Sequence, residues 1–441
     1  MDPLVVVTAT APTPNGSLHL GHLSGPFVAA DVAARAARAR GLRTLTVSGL
    51  DPHQNYVPAK AALEGRTPEA MLDEYEALVR RSLRAARVGF DVFTDPRADA
   101  AYRDAVARLL TDLIATGAAP VEPVTLARCG GCATMLHYAY VSGDCPRCGA
   151  GSSGGTCEAC GTYTTAGNLA GARCARCGGA PEPATARVPV LRLESCRPVL
   201  TGIWSRAVMP ARICALIAHY LDAGLPDVPL AYPADWGIEA SGHDGQRIDV
   251  WVEMGLGLLA GIARGLDPAA ATLDDYLAAW KQVGECWHFL GIDNAFYFAV
   301  LFPALLSAAG LPPGWLGGLV VNGFYRLDGL KFSTSRNHAV WAHEFLEAED
   351  PAMVRMFLCW DRPDRCESGF TREAYAQFQA WIGAALAKPG GTLPKALAGA
   401  EITRAGHALE FGAFDPGFAL RCLIAAGPDR APALLAAITG S

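Results

Sequence analysis

Four Cys-x-x-Cys pairs fall between residues 129 and 177: Cys129/Cys132, Cys145/Cys148, Cys157/Cys160 and Cys174/Cys177. With 14 cysteines in 441 residues, chance supplies about 0.4 such pairs across the whole chain. A Cys-x-x-Cys turn points two thiolates at one centre, and a tetrahedral Zn²⁺ needs two such turns. Eight sulfurs therefore suit two structural zinc sites. The block from about 121 to 185 is Gly-rich and too poor in apolar residues to build a core of its own, so it must fold around metal. It interrupts an otherwise α/β pattern and is read as an appendage on a larger core.

The chain is too long for one typical domain, and 51% hydrophobic with 18% charged residues supports well-buried cores. A net charge of −6 argues against a dedicated nucleic-acid-binding domain, while leaving room for a local basic patch. Cys196, Cys214, Cys286, Cys359, Cys366 and Cys422 lie among apolar stretches and are expected to be reduced core residues. No leader-like segment precedes the first strand, and no apolar run reaches the ~18 residues of a membrane span. A soluble, reducing cytoplasmic setting is expected, where such cysteine arrays favour metal over disulfides.

LVVVTAT (4–10) reads as a strand buried on both faces of a parallel sheet. The loop APTPNGS follows, then a helix from about Leu18 to Arg40 that Gly41 ends. A second buried strand covers 42–50, with Asp51 just past its end. Polar residues where parallel strands stop mark the usual ligand position of an open α/β sheet. Amphipathic helices are predicted at 67–87 and 97–116, helix and strand over 274–310, strand, turn and loop over 316–337, and mostly helix from 338.

Two loops carry chemistry. His19-Leu20-Gly21-His22 places two imidazoles three residues apart on one helical face, at a helix N-terminus that attracts anions. Gly21 lets a ligand approach the backbone closely. Imidazoles there can hydrogen-bond phosphate oxygens as charge builds on them; capping or core histidines are the plain alternative. The second loop, Lys331-Phe332-Ser333-Thr334-Ser335, follows the turn dipeptide Asp328-Gly329.

Together these features resemble the class I aminoacyl-tRNA synthetases, the methionyl family most closely. HLGH is similar to the first signature of that class and KFSTS to its second, the KMSKS loop. Zinc knuckles between two halves of a Rossmann-like fold are a methionyl hallmark. Trp251, Trp287-His288-Phe289-Leu290-Gly291 with Asp293, and Asn322-Gly323-Phe324 match further. The resemblance covers about residues 4–370 in order.

It implies an α/β fold with four parts. These are the first half of a Rossmann-like catalytic domain (1–120), a zinc-knuckle insertion (121–185), the second half with the KFSTS loop (186–337), and a short helical C-terminal region (338–441). It implies ATP with Mg²⁺ as well as two structural zincs. His19, His22 and Lys331 would be catalytic, and Asp51 would pair with the substrate ammonium group. The resemblance puts Pro14, Asn15, Gly21, Glu239, Gly291, Asp293, Ser333, Ser335 and Arg336 along the nucleotide. It puts Ala11, Thr13, Trp251, Met254, Leu258 and His288 around the amino-acid side chain. It pairs Cys145, Cys148, Cys157 and Cys160 at one zinc, with Cys129, Cys132, Cys174 and Cys177 nested around it at the other; pairing in sequence order is equally open.

Three departures bear on function. Thr334 replaces the second lysine of the signature, with Arg336 the first candidate to compensate. Ala11 and Thr13 stand where the family carries a leucine and a tyrosine, and Val252–Leu258 lacks an Ala-Pro turn and a further tyrosine. Only about seventy residues follow 370, without the aromatic and basic face that stacks on anticodon bases. The leading expectation is therefore an adenylate-forming enzyme whose acceptor is a small-molecule amine or carrier. The alternatives are tRNA charging and a catalytically weak binding or regulatory protein; a zinc or redox sensor leaves most motifs unexplained.

Overall fold

The computed structural model describes residues 3–312, 314–332, 338–364, 367–388 and 393–441. In chain order its principal elements begin with β1 (Leu4–Ala9), α1 (Val28–Ala39), β2 (Thr44–Gly49), α2 (Pro68–Ala85), β3 (Val92–Thr94) and α3 (Ala100–Ala115). There follow β4 (Val121–Cys129), β5 (Pro181–Arg192), α4 (Val250–Leu266), β6 (Val283–Gly291) and β7 (Leu316–Asn322). Five helices close the chain: α5 (Pro351–Trp360), α6 (Arg372–Leu386), α7 (Lys395–Ala408), α8 (Pro416–Ala426) and α9 (Pro432–Thr439).

Five strands form one parallel sheet in the order β7-β6-β1-β2-β3. β1 shows why its sequence reads as a continuous apolar run. Leu4 and Val6 enter one core with α3 and α4, while Val5, Val7 and Ala9 enter the other with α1 and the C-terminal helices. Alternate side chains of a pleated strand point to opposite faces, so a strand covered on both sides must be apolar throughout. The chain is thus a three-layer α/β core.

The expected helix from Leu18 to Arg40 is interrupted. A short turn (Leu20–His22) and a wide turn (Leu23–Phe27) precede α1. Pro26 lacks the N–H a regular helix needs. Gly25 bends out of helical geometry (φ −76°, ψ −110°). A Cβ at Gly25 would lie 2.8 Å from the Asn322 amide, so the break brings this segment against the end of β7. A helix at Tyr56–Glu64 was not anticipated. Cys286, Cys359 and Cys422 are buried as expected, but Cys214 is exposed and Cys196 half-exposed. Their helices present those positions outward. Cys366 lies outside the described residues.

β4 and β5 pair antiparallel from Val121↔Pro189 to Cys129↔Pro181, a ribbon carrying the cysteine block at its far end. That block has a small core of its own: Leu136, Val141 and Leu169 with the ligand candidates Cys129 and Cys174. No described helix is long and apolar enough to cross a membrane.

The C-terminal helices are tied to the sheet by a buried ion pair. Arg355 on α5 donates to Asp31 on α1 at 2.7 Å and to the carbonyls of Ala86, Arg87, Ala437 and Ile438 at 2.9–3.2 Å. Both side chains are buried; Asp31 also holds Arg35 at 2.8 Å, so removing Arg355 takes one of its two cations and leaves four carbonyls without this donor. Arg355→Ala is expected to lose about 3–5 kcal/mol of stability, measured by chemical denaturation. Replacing both residues with apolar ones of similar volume should cost much less.

Candidate active site

The strand order reverses beside β1: β2 and β3 extend to one side, β6 and β7 to the other. Loops leaving β1 and β6 therefore diverge and open a crevice at the carboxyl end of the sheet. A cavity of about 360 Å³ occupies it, walled by the loop Thr10–Leu18, His22, Asp51, Trp251, Asp293 and residues of the cysteine block.

His19 is the N-cap of the first turn and His22 lies within it. The His22 N–H donates to His19 Nδ1 at 3.3 Å, and the His19 N–H donates to His22 Nδ1 at 3.1 Å. The rings stack at 3.7 Å, and Phe332 stacks on the other face of His19 at 4.6 Å. Since each Nδ1 accepts, each neutral ring carries its proton on Nε2. Burial pushes His22 down to about 4. Burial, then the neighbouring His22 and Lys331, hold His19 well below the usual range. At neutral pH the pair is two fixed, uncharged Nε2–H donors. The capping bonds use Nδ1 of each ring and leave each Nε2–H outside the cap. A Cβ on Gly21 would come within 2.9 Å of the His19 ring, so this glycine is required by the ring's position.

Asp51, just past β2, is 4% exposed. Its Oδ2 accepts from Thr13 Oγ1 at 3.0 Å while Oδ1 has no partner among the described residues. Burial, reinforced by the Glu253 carboxylate and opposed by Thr13, raises Asp51 to about 8. Behind it His53 pairs with Glu253 at 2.7 Å. Burial alone would lower His53, but the Glu253 and Asp51 carboxylates outweigh it and raise its pKa. Trp251 stacks flat on Tyr297 at 3.6 Å.

The cavity wall brings together Ala11, Thr13, Asn15, His22, Asp51, Trp251 and Asp293. Pro14 is buried in the same loop. Gly291 ends β6, where a Cβ would strike Asp293 Oδ1. Glu239, His288, Met254, Leu258 and Lys331 are not brought to the wall of this cavity. Glu239 is exposed and pairs with Arg247 at 3.3 Å, in the connection between two short strands. His288 sits inside β6, hydrogen-bonded to Thr8 at 2.7 Å and packed on Phe298 and Trp315; burial lowers it to about 3. Met254 and Leu258 pack from α4 against the core around Trp251. Lys331 forms an ion pair with Glu158 and lies over the Phe324 ring at 4.4 Å. Ser333, Thr334, Ser335 and Arg336 lie outside the described residues.

The cysteine block supplies a wall that no local motif announced. Ser153, Gly154, Gly155, Thr156 and Glu158 line the cavity. Tyr56 shares a 2.7 Å hydrogen bond with Ser153, Thr156 donates to the Asp293 carbonyl, and Tyr138 donates to Asp249. Gly155 (φ +110°) allows this approach, since a Cβ would meet the Tyr138 ring and the Tyr297 hydroxyl within 3 Å. Gln54 and Tyr297 also line the cavity and carried no sequence signal beyond their residue type.

The eight thiols fall into two sets, Cys129/Cys132/Cys174/Cys177 and Cys145/Cys148/Cys157/Cys160, with sulfurs within 4.8 Å of one another in each. This is the nested arrangement. The nearest sulfur pairs stand 3.4–3.7 Å apart. A tetrahedron with metal–sulfur bonds of about 2.3 Å has edges of about 3.8 Å, whereas a disulfide needs about 2.05 Å. Both sets fit zinc. Besides Asp51, Asp293 and Glu158 are the described carboxylates lining the cavity, and their oxygens would suit a hard cation such as Mg²⁺.

The family model described as tRNA synthetases class I (M) matches residues 5–389. The chain belongs to this class I tRNA synthetase family. A methionine–tRNA ligase of Porphyromonas gingivalis is 31% identical over 388 residues, covering 85% of this chain and 55% of that protein. That of Methanopyrus kandleri is 28% identical over 364 residues, covering 81% and 54%. The chain thus spans about half the length of the curated relatives it matches. The methionyl-tRNA synthetase of Mycobacterium tuberculosis bound by methionyl-adenylate superposes with a TM-score of 0.71 at 20% identity, covering 96% of this chain and 82% of that one. That likeness establishes the synthetase fold.

If both thiol sets hold zinc, purified protein should contain about two zinc ions per chain by elemental analysis. Cys174→Ser should remove one, and Cys174→Ser with Cys157→Ser both. Retention of two zincs in the double variant would sink the assignment.

Proposed function

We propose that this synthetase-family chain activates an amino-acid carboxylate with ATP and passes the acyl group to tRNA. The observation that carries the first step is the pair of neutral Nε2–H donors where β1 gives way to the first turn. The substrate ammonium group ion-pairs with Asp51, donating a hydrogen bond to the unfilled Oδ1. This holds the carboxylate toward the nucleotide. A carboxylate oxygen then bonds to the α-phosphorus, the α–β phosphoanhydride bond breaks, and pyrophosphate leaves with the bonding pair. Charge rises on the α-phosphate oxygens as the five-coordinate state forms, and donors already aimed there cost no reorganisation. Lys331, held on Glu158 in the free protein, is within reach of the same histidines and pairs with the departing pyrophosphate.

For the second step, a terminal ribose hydroxyl attacks the acyl carbonyl, an ester forms and AMP departs. The relatives at 28–31% identity are named as ligases of tRNA, which supports this acceptor over the expected small-molecule amine or carrier. ATP–pyrophosphate exchange tests activation. Charging of bulk tRNA, followed by acid-gel separation, tests the acceptor; exchange without charging would return the small-molecule acceptor to first place.

Because each ring orients the other, the two histidines should act as a unit. His19→Ala or His22→Ala alone is expected to cut the exchange rate by about 10²–10³, and the double variant only slightly more. Additive losses would break the idea of a coupled pair.

Asp51 gives a pH signature. Its pKa of about 8 means that the free protein holds the proton below that pH, whereas an ammonium ligand needs the carboxylate. Binding therefore releases a proton. Amino-acid affinity should rise nearly tenfold per unit from about pH 6 to about pH 8 and then level off. Calorimetry in buffers of different ionisation heat measures the released proton, and Asp51→Asn should abolish the dependence.

A further inference from the structure

The cavity wall near Asp51 carries a buried hydrogen-bonding side chain besides that carboxylate. Gln54 lies three residues beyond Asp51 on the turn that follows β2; it is 4% exposed, lines the cavity, and its Oε1 has no partner. Asp51 Oδ1, in the same floor, is also unfilled. Gln54 and Tyr138 separate the main cavity from a hole of about 20 Å³ that touches His53 and Asp249. Three buried carboxylates, Asp51, Asp249 and Glu253, therefore stand under or beside this end of the cavity. Tyr138 donates its proton to Asp249, which leaves its oxygen as one more acceptor. Ala11 and Thr13 bring little apolar bulk to the facing loop.

A buried amide oxygen without a partner is costly, and proteins keep such groups where a ligand completes them. Sites built to bond a polar ligand group discriminate strongly against analogues lacking it, because the buried group then stays unpaired. We propose that Gln54 is a specificity-determining residue, and that the activated amino acid carries a hydrogen-bond donor on its side chain. A hydroxyl, amide or amine would satisfy the floor; a thioether or alkyl side chain would leave it unfilled. This rests on the activation reading above and deepens it by naming the substrate class. It also separates this chain from relatives named for methionine.

The test is ATP–pyrophosphate exchange and calorimetric binding across two sets of amino acids of similar length. One set comprises homoserine, glutamine and ornithine, the other methionine and norleucine. At least one donor-bearing amino acid should exceed both others by about tenfold or more in kcat/KM. Gln54→Leu, which keeps volume and removes the amide, should level the two sets, with the change falling mainly on KM. Gln54→Glu should move the preference toward the amine. Methionine matching or exceeding every donor-bearing substrate overturns the proposal while leaving activation intact, as does a preference that Gln54→Leu fails to change. If no amino acid supports exchange, the activation reading falls, and binding of the same panel decides the proposal separately: methionine binding as tightly as the donor-bearing set overturns it.

Discussion

The hydrogen bonds between two histidines and each other's backbone fix the orientation and tautomer of both rings. An imidazole at a helix start is ordinarily free to flip and to choose its tautomer. Here both choices are removed, because each Nδ1 is occupied by the other residue's N–H. Stacking on Phe332 blocks the remaining rotation of His19, and Gly21 leaves room for the ring. The pair therefore presents Nε2–H groups of known direction at the crevice that the strand reversal opens. Protonating the rings would take away both acceptors and set two cations 3.7 Å apart, which is why the neutral form is the stable one.

The cysteine block belongs to the site as much as the sheet does. Asn55, just past β2, ties its start through hydrogen bonds to His137 and Ala139 at 3.0 Å. Tyr56, Asp249, Asp293 and Lys331 each hold a further point along it. Its own core is five buried residues, two of which are ligand candidates, so its shape depends on metal rather than on apolar burial. With zinc in both thiol sets, a wall of the cavity would be set by metal ligation several residues away from the residues that line it.

The parts legible in the sequence are those fixed by local pattern. The β-branched run of β1, the cysteine spacing, the HLGH turn and the Asp51 position all follow from periodicity or from short motifs. The helix break at Gly25-Pro26 was also within reach, since Pro inside a helix is a recognised signal, and the long apolar pattern around it hid the break. Gln54, Tyr138, Tyr297 and Glu158 were not legible. They converge through contacts between residues far apart in sequence, such as Tyr138 with Asp249 and Lys331 with Glu158. Transferring roles by motif position alone placed Glu239 and His288 at the ligand, but the fold turns one toward solvent and the other into the sheet.

The two ends of the cavity make opposite demands on what fills it. Around Asp51 the protein has buried carboxylates with His53 as their paired ring, a floor that repels phosphate and attracts cations. Near His22 it offers uncharged donors, with Glu158 paired to Lys331 and Asp293 in the same wall, a mixed set that would suit an anion carrying its own cation. An amino acid is itself polarised this way, ammonium at one end and carboxylate at the other, so in the proposed reaction it would be oriented by the ion pair that forms as Asp51 gives up its proton. The carboxylate then lies toward the donors, where the phosphate must also be. Orientation by an ion pair and selection by hydrogen bonds would thus be separate functions of neighbouring residues. In the proposed reaction Asp51 would perform the first for any amino acid, leaving discrimination to the groups beside it.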